Sequence, residues 1–262
     1  EYELDMWYLR SIEKGWEKFV RTLVQERGEL HRAITKQLSF LRVTEEITKE
    51  AIRKLDLPED IKSWNKGLIM KFASELRKQT KPIIVACNKI DIPGAEKNYE
   101  RLKVQFPEHL LVPCSSEAEL ALKEAAKHGL IDYLPGEKEF NVKDESKLND
   151  KQRNALNFIK VNVLDKFGSS GVQDVIDKSV FEILKYVAIF PGGVNKLGDQ
   201  YGNILPDCFL LPHNSTALDF AYKLHTDIGD HFVKAIDVRS KRPVGKDHVL
   251  KHRDVVEIAT SK

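Results

Sequence analysis

The sequence predicts an α/β protein with a short parallel sheet between helices, a helical hairpin before it and a small mixed domain after it. Three observations lead there. Helix, strand, helix, strand, helix alternate between Ser63 and His128, the order of a sheet whose strands are joined by helical crossovers. Residues 1–41 carry apolar side chains at three- and four-residue spacing, the period of a coiled-coil seam. From about Ala188 onward, short alternating strands surround one capped helix. The expected boundaries are 1–62 for the hairpin, 63–187 for the sheet domain and 188–262 for the last domain.

Each element has its own justification. Leu9, Ile12, Trp16, Phe19, Leu23 and Leu30 form one stripe, continued by Ile34, Leu38 and Leu41, so one long helix is expected from Glu1 to about Leu41. Thr44 is an N-cap for a second helix over Glu45–Leu55, ended by Leu57-Pro58. The pair reads as a projecting antiparallel hairpin, or as two helices packed flush on a core. Ser63–Gln79 gives a third helix with Leu68, Ile69, Phe72, Ala73 and Leu76 on one face. Ile83–Cys87 is short, β-branched and preceded by Pro82, which favours a parallel strand covered on both faces. A helix near Tyr99–Gln105, a strand at Leu110–Val112 and a helix over Glu117–His128 follow. Asp150–Phe167 and Val172–Val187 are two more amphipathic helices, joined by Gly168-Ser169-Ser170-Gly171. That turn is no phosphate loop, since no strand precedes it and no Lys-Ser/Thr follows.

Composition narrows the function. A net charge of +2 on 262 residues makes no global attraction for nucleic acid, so any RNA contact must come from a local patch. Cys87, Cys114 and Cys208 are scattered and odd in number, which suits small apolar residues in a reducing compartment. No apolar run reaches membrane-spanning length and the first residues do not form a signal peptide, so a cytoplasmic protein is expected, with no membrane partner. His and Cys residues with metal-ligand spacing are absent from the sequence.

The chemistry concentrates at Asn88-Lys89-Ile90-Asp91, at the carboxyl end of the first strand, where open α/β sheets place ligands. A carboxylate there accepts two adjacent donors in a fork. Guanine offers such a pair, its ring N1–H and exocyclic amine; adenine does not, and would leave the carboxylate buried and unpaired. The plainer reading makes Asp91 a helix N-cap in a polar turn. Asn88–Asp91 resembles the Asn-Lys-x-Asp motif of P-loop GTPases residue for residue. One strand later, Ser115-Ser116-Glu117 opens a helix and resembles the Ser-Ala-Lys loop of that class, with Ser116 for Ala and Glu117 for Lys. The resemblance implies that Asp91 reads the base, that Asn88 bonds its edge and ties the loop, and that the stem of Lys89 covers its face. It also implies a backbone N–H in Ser115–Glu117 for the guanine O6, a main-chain role that side-chain changes leave intact. Simple helix capping by Ser115 is the alternative.

The last domain reads as a β-grasp, ubiquitin-like fold. Strand and turn are expected at Asn203–Pro206 and Cys208–Leu211, a capped helix at Ser215–His225, and strands at His231–Val238 and Val255–Ala259. The run NSTALDFAYKLHTDIGDHFVKAIDV resembles the TGS domain of threonyl-tRNA synthetases, stringent-response synthetases and several GTPases. His225 reads as a helix C-terminal histidine suited to the helix dipole. Arg239, Lys241, Arg242, Lys246, Lys251 and Arg253 stand against the single acid Asp247, a phosphate-facing patch for RNA or a solvated edge whose lysines discourage aggregation.

The order of segments is similar to Obg-related GTPases of the YchF-like branch, in an archaeal-type variant. That resemblance implies a cytoplasmic GTP-binding protein that takes GTP or GDP with Mg²⁺ and associates with ribosomes, RNA and translation. Relatives that prefer ATP carry Asn-x-x-Glu, so Asp91 points to GTP. A GxxxxGK[ST] loop is missing: Gly245-Lys246-Asp247 lacks the hydroxyl, and the DxxG runs at Asp91–Gly94 and Asp199–Gly202 do not serve. The expectation is a fragment lacking the amino-terminal half of a G domain, with the phosphate and Mg²⁺ ligands outside it and no GTP hydrolysis on its own. A nucleotide-independent adaptor that binds RNA through its TGS domain is the competing class, and a synthetase fragment a weaker one without a catalytic signature.

Overall fold

The computed structural model describes residues 1–193 and 207–261, which form two compact units, Glu1–Ile84 and Val85–Lys262. The first unit holds α1 (Tyr2–Glu13), α2 (Trp16–Glu26), α3 (Leu30–Gln37), α4 (Glu45–Lys54) and α5 (Lys66–Thr80). The single helix expected over 1–41 is thus corrected to three. Gly15 at φ 79° and Arg27 at φ 47° adopt left-handed backbone, which ends a helix and redirects the chain. The apolar stripe survives the breaks: Leu9, Ile12, Leu23, Ile34, Leu38 and Leu41 share one buried core, because each short helix turns its own apolar face inward. Ile69, Phe72, Ala73 and Leu76 of α5 join that core, so the coiled-coil hairpin is instead part of a short-helix bundle. Thr44 caps α4 as expected, accepting from the Ile47 N–H. Trp64 stacks on Trp16 at 6.0 Å and meets Phe72 edge-on at 5.1 Å.

The second unit opens with β1 (Ile84–Cys87), α6 (Ala95–Gln105), β2 (Leu110–Pro113) and α7 (Ser116–Lys127). β1 and β2 pair in the parallel sense: the Cys114 N–H bonds the Cys87 carbonyl, and the Cys114 carbonyl receives the Ile90 N–H. β1 is less covered than expected; Ile84, Val85 and Cys87 are half-buried and Ala86 is exposed, since β2 is its one strand partner among the described residues. A two-residue pair, β3 (Ile131–Asp132) with β4 (Asn141–Val142), lies in what reads as loop. Next come α8 (Asp150–Ile159), a π-helical segment Lys160–Leu164, α9 (Asp165–Phe167), α10 (Val172–Asp177) and a second π-helical segment, Lys178–Ile183. A core of Leu122, Ile131, Leu156, Ile159, Val163 and Leu164 fixes α7 to β3 and α8.

Tyr186 and Val187 belong to a strand rather than to the end of a helix. β5 (Tyr186–Pro191) and β6 (Phe209–Pro212) precede α11 (Ala217–Leu224), α12 (Thr226–Asp230), β7 (Phe232–Asp237), β8 (Arg242–Val244) and β9 (Asp254–Thr260). The sheet order is β6-β5-β9-β7-β8, with β5 and β9 parallel at the centre and the other pairs antiparallel. Phe220 of α11 is fully buried in the core with Ile189, Leu211, Ala235 and Val256, so the β-grasp expectation holds. Thr216 and Asp219 cap α11 reciprocally. The expected strand at Asn203–Pro206 and the DxxG run at Asp199–Gly202 lie outside the described residues. Cys114 is buried, Cys87 half-buried and Cys208 exposed, all with free thiols. No helix among the described residues is long and apolar enough to cross a membrane.

Two charged clusters brace the helical unit. Glu29, His31 and Glu45 lie close enough to hold a metal, yet Arg32 Nε already sits 3.1 Å from Glu29 Oε2 and 2.9 Å from Glu45 Oε1, supplying the cation the carboxylates need. The Arg77 side chain is 3% exposed and pairs with Asp5 at 2.7 Å, while Ser74 Oγ donates to the same carboxylate at 2.9 Å. Arg77 Nη1 also meets Glu1 Oε1 at 3.0 Å, so removing Asp5 leaves the buried guanidinium with one, more exposed carboxylate and leaves Ser74 Oγ without its acceptor. Asp5→Ala is therefore expected to destabilise the unit by about 1–2 kcal/mol, measured by urea unfolding; a loss below ~0.5 kcal/mol would show that Glu1 alone satisfies Arg77.

Candidate functional site

The site is built from two loops at the carboxyl ends of β1 and β2. Lys89 adopts φ 63°, a left-handed conformation that costs a non-glycine residue about 1 kcal/mol. It is held by the Asn88 side chain, whose Oδ1 accepts the Lys89 N–H at 2.9 Å and, from the other loop, the Ser116 N–H at 3.0 Å. Two donors on one oxygen fix the carboxamide's orientation, so Asn88 Nδ2 points away from them with its own hydrogens to give. Asn88 thereby joins the loops that the sequence marked separately.

Ser115 is the N-cap of α7; its Oγ accepts the Ala118 N–H at 3.2 Å, and its own N–H goes to the Ser170 carbonyl at 2.8 Å. Capping and loop formation are thus combined in one residue. The N–H groups of Ser115, Ser116 and Ala118 are all engaged. The Glu117 N–H has no acceptor among the described residues, leaving one outward donor at the positive end of a helix. Asp91 is not the N-cap of α6, which is Gly94, and its carboxylate makes no hydrogen bond or ion pair among the described residues. Asp91, Ser115 and Glu117 line one concavity of about 300 Å³, walled by Ala118, Ala155 and Phe158. Lys89 is exposed beside it in sequence.

Four residues to which the sequence pattern gave no role in the site support this arrangement. Ser170 is fully buried and Glu119 is 6% exposed. Ser170 Oγ donates to Glu119 Oε2 at 2.5 Å, and Tyr133 OH donates to the same oxygen at 2.7 Å. Burial first, then Glu119, pushes the Tyr133 hydroxyl pKa well up, so it stays a donor. Gly171, at φ 78°, lies against β2 so closely that a Cβ would sit 1.9 Å from the Pro113 carbonyl oxygen. Ser169, Ser170 and Gly171 are therefore a buried buttress for the second loop, while Gly168 before them is exposed. Gly171 was the visible signal: no residue with a Cβ permits that approach.

The basic residues sit elsewhere in the second unit. Arg239, Lys241, Arg242, Lys246, Lys251 and Arg253 are all exposed and form no ion pair among the described residues. Asp237 Oδ1 accepts the Arg239 and Ser240 N–H groups at 2.8 and 3.2 Å, shaping the β7–β8 turn. The Arg239 guanidinium reaches the Arg253 carbonyl at 3.4 Å, bringing those two cations together. Lys246 stands apart beside the first turn of α11, where its carbonyl takes the Leu218 N–H. His225 ends α11 but also begins α12, its Nδ1 accepting the Asp227 N–H at 3.2 Å.

Comparison with known proteins follows this geometry. Residues 86–193 match the family described as Obg-like GTPase YGR210-like, G4 motif-containing domain, and residues 198–260 match the TGS domain. The chain is 43% identical over 260 residues to the GTP-binding protein MJ1332 of Methanocaldococcus jannaschii, covering 99% of this chain and 65% of that protein. It is 24% identical over 223 residues to a GTP-binding protein of Schizosaccharomyces pombe, covering 82% of this chain and 54% of the relative. The crystal structure of a GTP binding protein from Pyrococcus horikoshii OT3 superposes with a TM-score of 0.75 at 38% identity, over 99% of this chain and 69% of that one. The chain thus spans between about half and two thirds of these relatives. With the Asn88-bridged loops on one domain and a β-grasp on the other, the chain belongs to the Obg-like GTPases of the YGR210-like group that carry a TGS domain.

Proposed function

We propose that the full-length protein binds GTP and GDP, with the residues of this chain reading the guanine base. The observation that carries this reading is the division of labour at the bridged loops. Asn88 Oδ1 satisfies two N–H groups, while Asp91 and Glu117, whose carboxylate and N–H have no partner among the described residues, line one concavity. That leaves an acceptor fork for the guanine N1–H and amine, a donor for O6 and Asn88 Nδ2 for N7. Adenine inverts two of these, presenting a lone pair to Asp91 and an amine to Glu117, and both mismatches strand polar groups. The exposed Lys89 stem covers the base face. GTP hydrolysis with Mg²⁺ belongs to phosphate-binding and metal-binding groups outside this sequence, and no residue of this chain is assigned to the metal.

The TGS domain supplies the second part of the reading, contact with RNA or the ribosome in the cytoplasm during translation. Its support is the set of exposed cations that make no ion pair among the described residues, centred on Arg239 and Arg253, with Asp237 the acid beside Arg239. Such groups displace counterions from a phosphate backbone and give binding that falls steeply with salt. Aromatic side chains for base stacking are not interleaved with them, so backbone contact rather than sequence readout is assigned.

Two tests follow. Asp91→Asn replaces one acceptor of the fork with a donor, which suits xanthine, whose C2 carries a carbonyl. Titration of the full-length protein is expected to show GDP affinity falling about a hundredfold and xanthosine diphosphate becoming the tighter ligand; equal losses for both bases would remove Asp91 from the site. Separately, Lys241→Ala with Arg242→Ala is expected to weaken binding to ribosomal RNA and to lower the slope of log affinity against log salt by roughly one to two. An unchanged slope would leave the patch as a solvated edge.

A further inference from the structure

We infer that Glu119, Ser170 and Tyr133 are positioning residues for the base site, a clasp that holds the first turn of α7 so that the Glu117 N–H keeps its aim. The inference rests on the guanine reading above and deepens it. The clasp is a closed ring of hydrogen bonds. The Ser115 N–H donates to the Ser170 carbonyl at 2.8 Å, Ser170 Oγ donates to Glu119 Oε2 at 2.5 Å, and the Glu119 N–H donates to the Ser115 carbonyl at 3.1 Å. Ser116 and Glu117 lie inside that ring. Their N–H groups are the ones the two loops use, one for Asn88 and one left outward.

The ring is costly unless it has a task. Glu119 is 6% exposed and has no cation beside it among the described residues; hydroxyls from Ser170 and Tyr133 are its partners. A well-packed apolar residue at that position of α7 would ordinarily stabilise the domain as well or better. What an apolar residue lacks is direction: it cannot fix the rotation of one helical turn against a loop from another part of the chain. The second anchor is steric. Gly171 backbone lies in contact with Pro113 and Cys114, so Ser170 has no room to drift, and Ser169 adds a bond to Asp174 that closes the turn on itself. The α7 terminus is thereby pressed between Asn88 on one side and the Ser170 turn on the other, each holding one N–H.

A helix start held this way presents its remaining donor at a fixed point, which raises base discrimination rather than overall affinity. Adenine, whose exocyclic amine cannot accept from Glu117, gains nothing from the clasp. The loss of the clasp is therefore selective for bases with O6.

The test uses the full-length protein with Glu119→Ala, Glu119→Gln, Ser170→Ala and Tyr133→Phe, titrated with GDP and ADP, alongside amide exchange of residues 114–119. Glu119→Ala is expected to weaken GDP about tenfold, one hydrogen bond's worth, with ADP affinity unchanged and exchange at Ser115–Glu117 accelerated. Glu119→Gln, which keeps a carbonyl acceptor, is expected to recover most of the GDP affinity, and Tyr133→Phe to give an intermediate loss. Unchanged GDP affinity in Glu119→Ala and Ser170→Ala, or equal weakening of GDP and ADP together with a lowered melting temperature, overturns the inference. If the unsubstituted protein fails to prefer GDP, the base-site reading falls by itself, and the exchange rates then decide the clasp: unaltered rates overturn it.

Discussion

One carboxamide oxygen holds this site together. Asn88 Oδ1 receives an N–H from the residue that follows it and another from 28 positions downstream, so two loops with no covalent link nearby become one surface. An oxygen with two lone pairs is the smallest group that can do this while its own nitrogen stays free to meet a ligand. Aspartate there would accept both donors but offer none to a base, and leucine would release both loops. The left-handed Lys89 is a consequence of the same contact: the turn that brings its N–H under the Asn88 side chain requires positive φ.

The rest of the second unit keeps that contact in register. β1 and β2 set the spacing of the loops through the Cys87–Cys114 and Cys114–Ile90 bonds, and the core of Leu122, Ile131, Leu156 and Val163 anchors α7 behind its N-terminus. The Ser170 turn then fixes how that N-terminus is rotated. Strand, core and turn act on different degrees of freedom, which is why a short pair of strands suffices to carry so specific an arrangement of donors and acceptors.

The residues proposed to face the base are more legible in the sequence than the scaffold around them. Asn88, Asp91 and Ser115–Glu117 stand out because their types and short spacing match a purine-reading pattern, and the structure joins Asn88 to Ser116 and puts Asp91 with Ser115 and Glu117 on one concavity. The β-grasp was legible too, through the capped helix expected at Ser215–His225 and the alternating strands around it. The helical unit was only half legible: Leu9, Ile12 and Leu23 are core residues as their spacing says, but spacing does not report the breaks at Gly15 and Arg27. Ser170, Glu119 and Tyr133 were hidden for a different reason. A serine and a glutamate 51 positions apart acquire meaning only through tertiary contact, and the π-helical segment Lys160–Leu164 that precedes the Ser170 turn leaves no periodic trace.

An acceptor fork at Asp91 opposite a purine that carries donors is the proposed origin of base preference. Calorimetric titration of the full-length protein with GDP and with ADP under one set of conditions measures that directly. Preference for GDP by at least about a hundredfold is the expected result, because adenine leaves two polar groups of the site unpaired. Equal affinities, or tighter ADP binding, would contradict it.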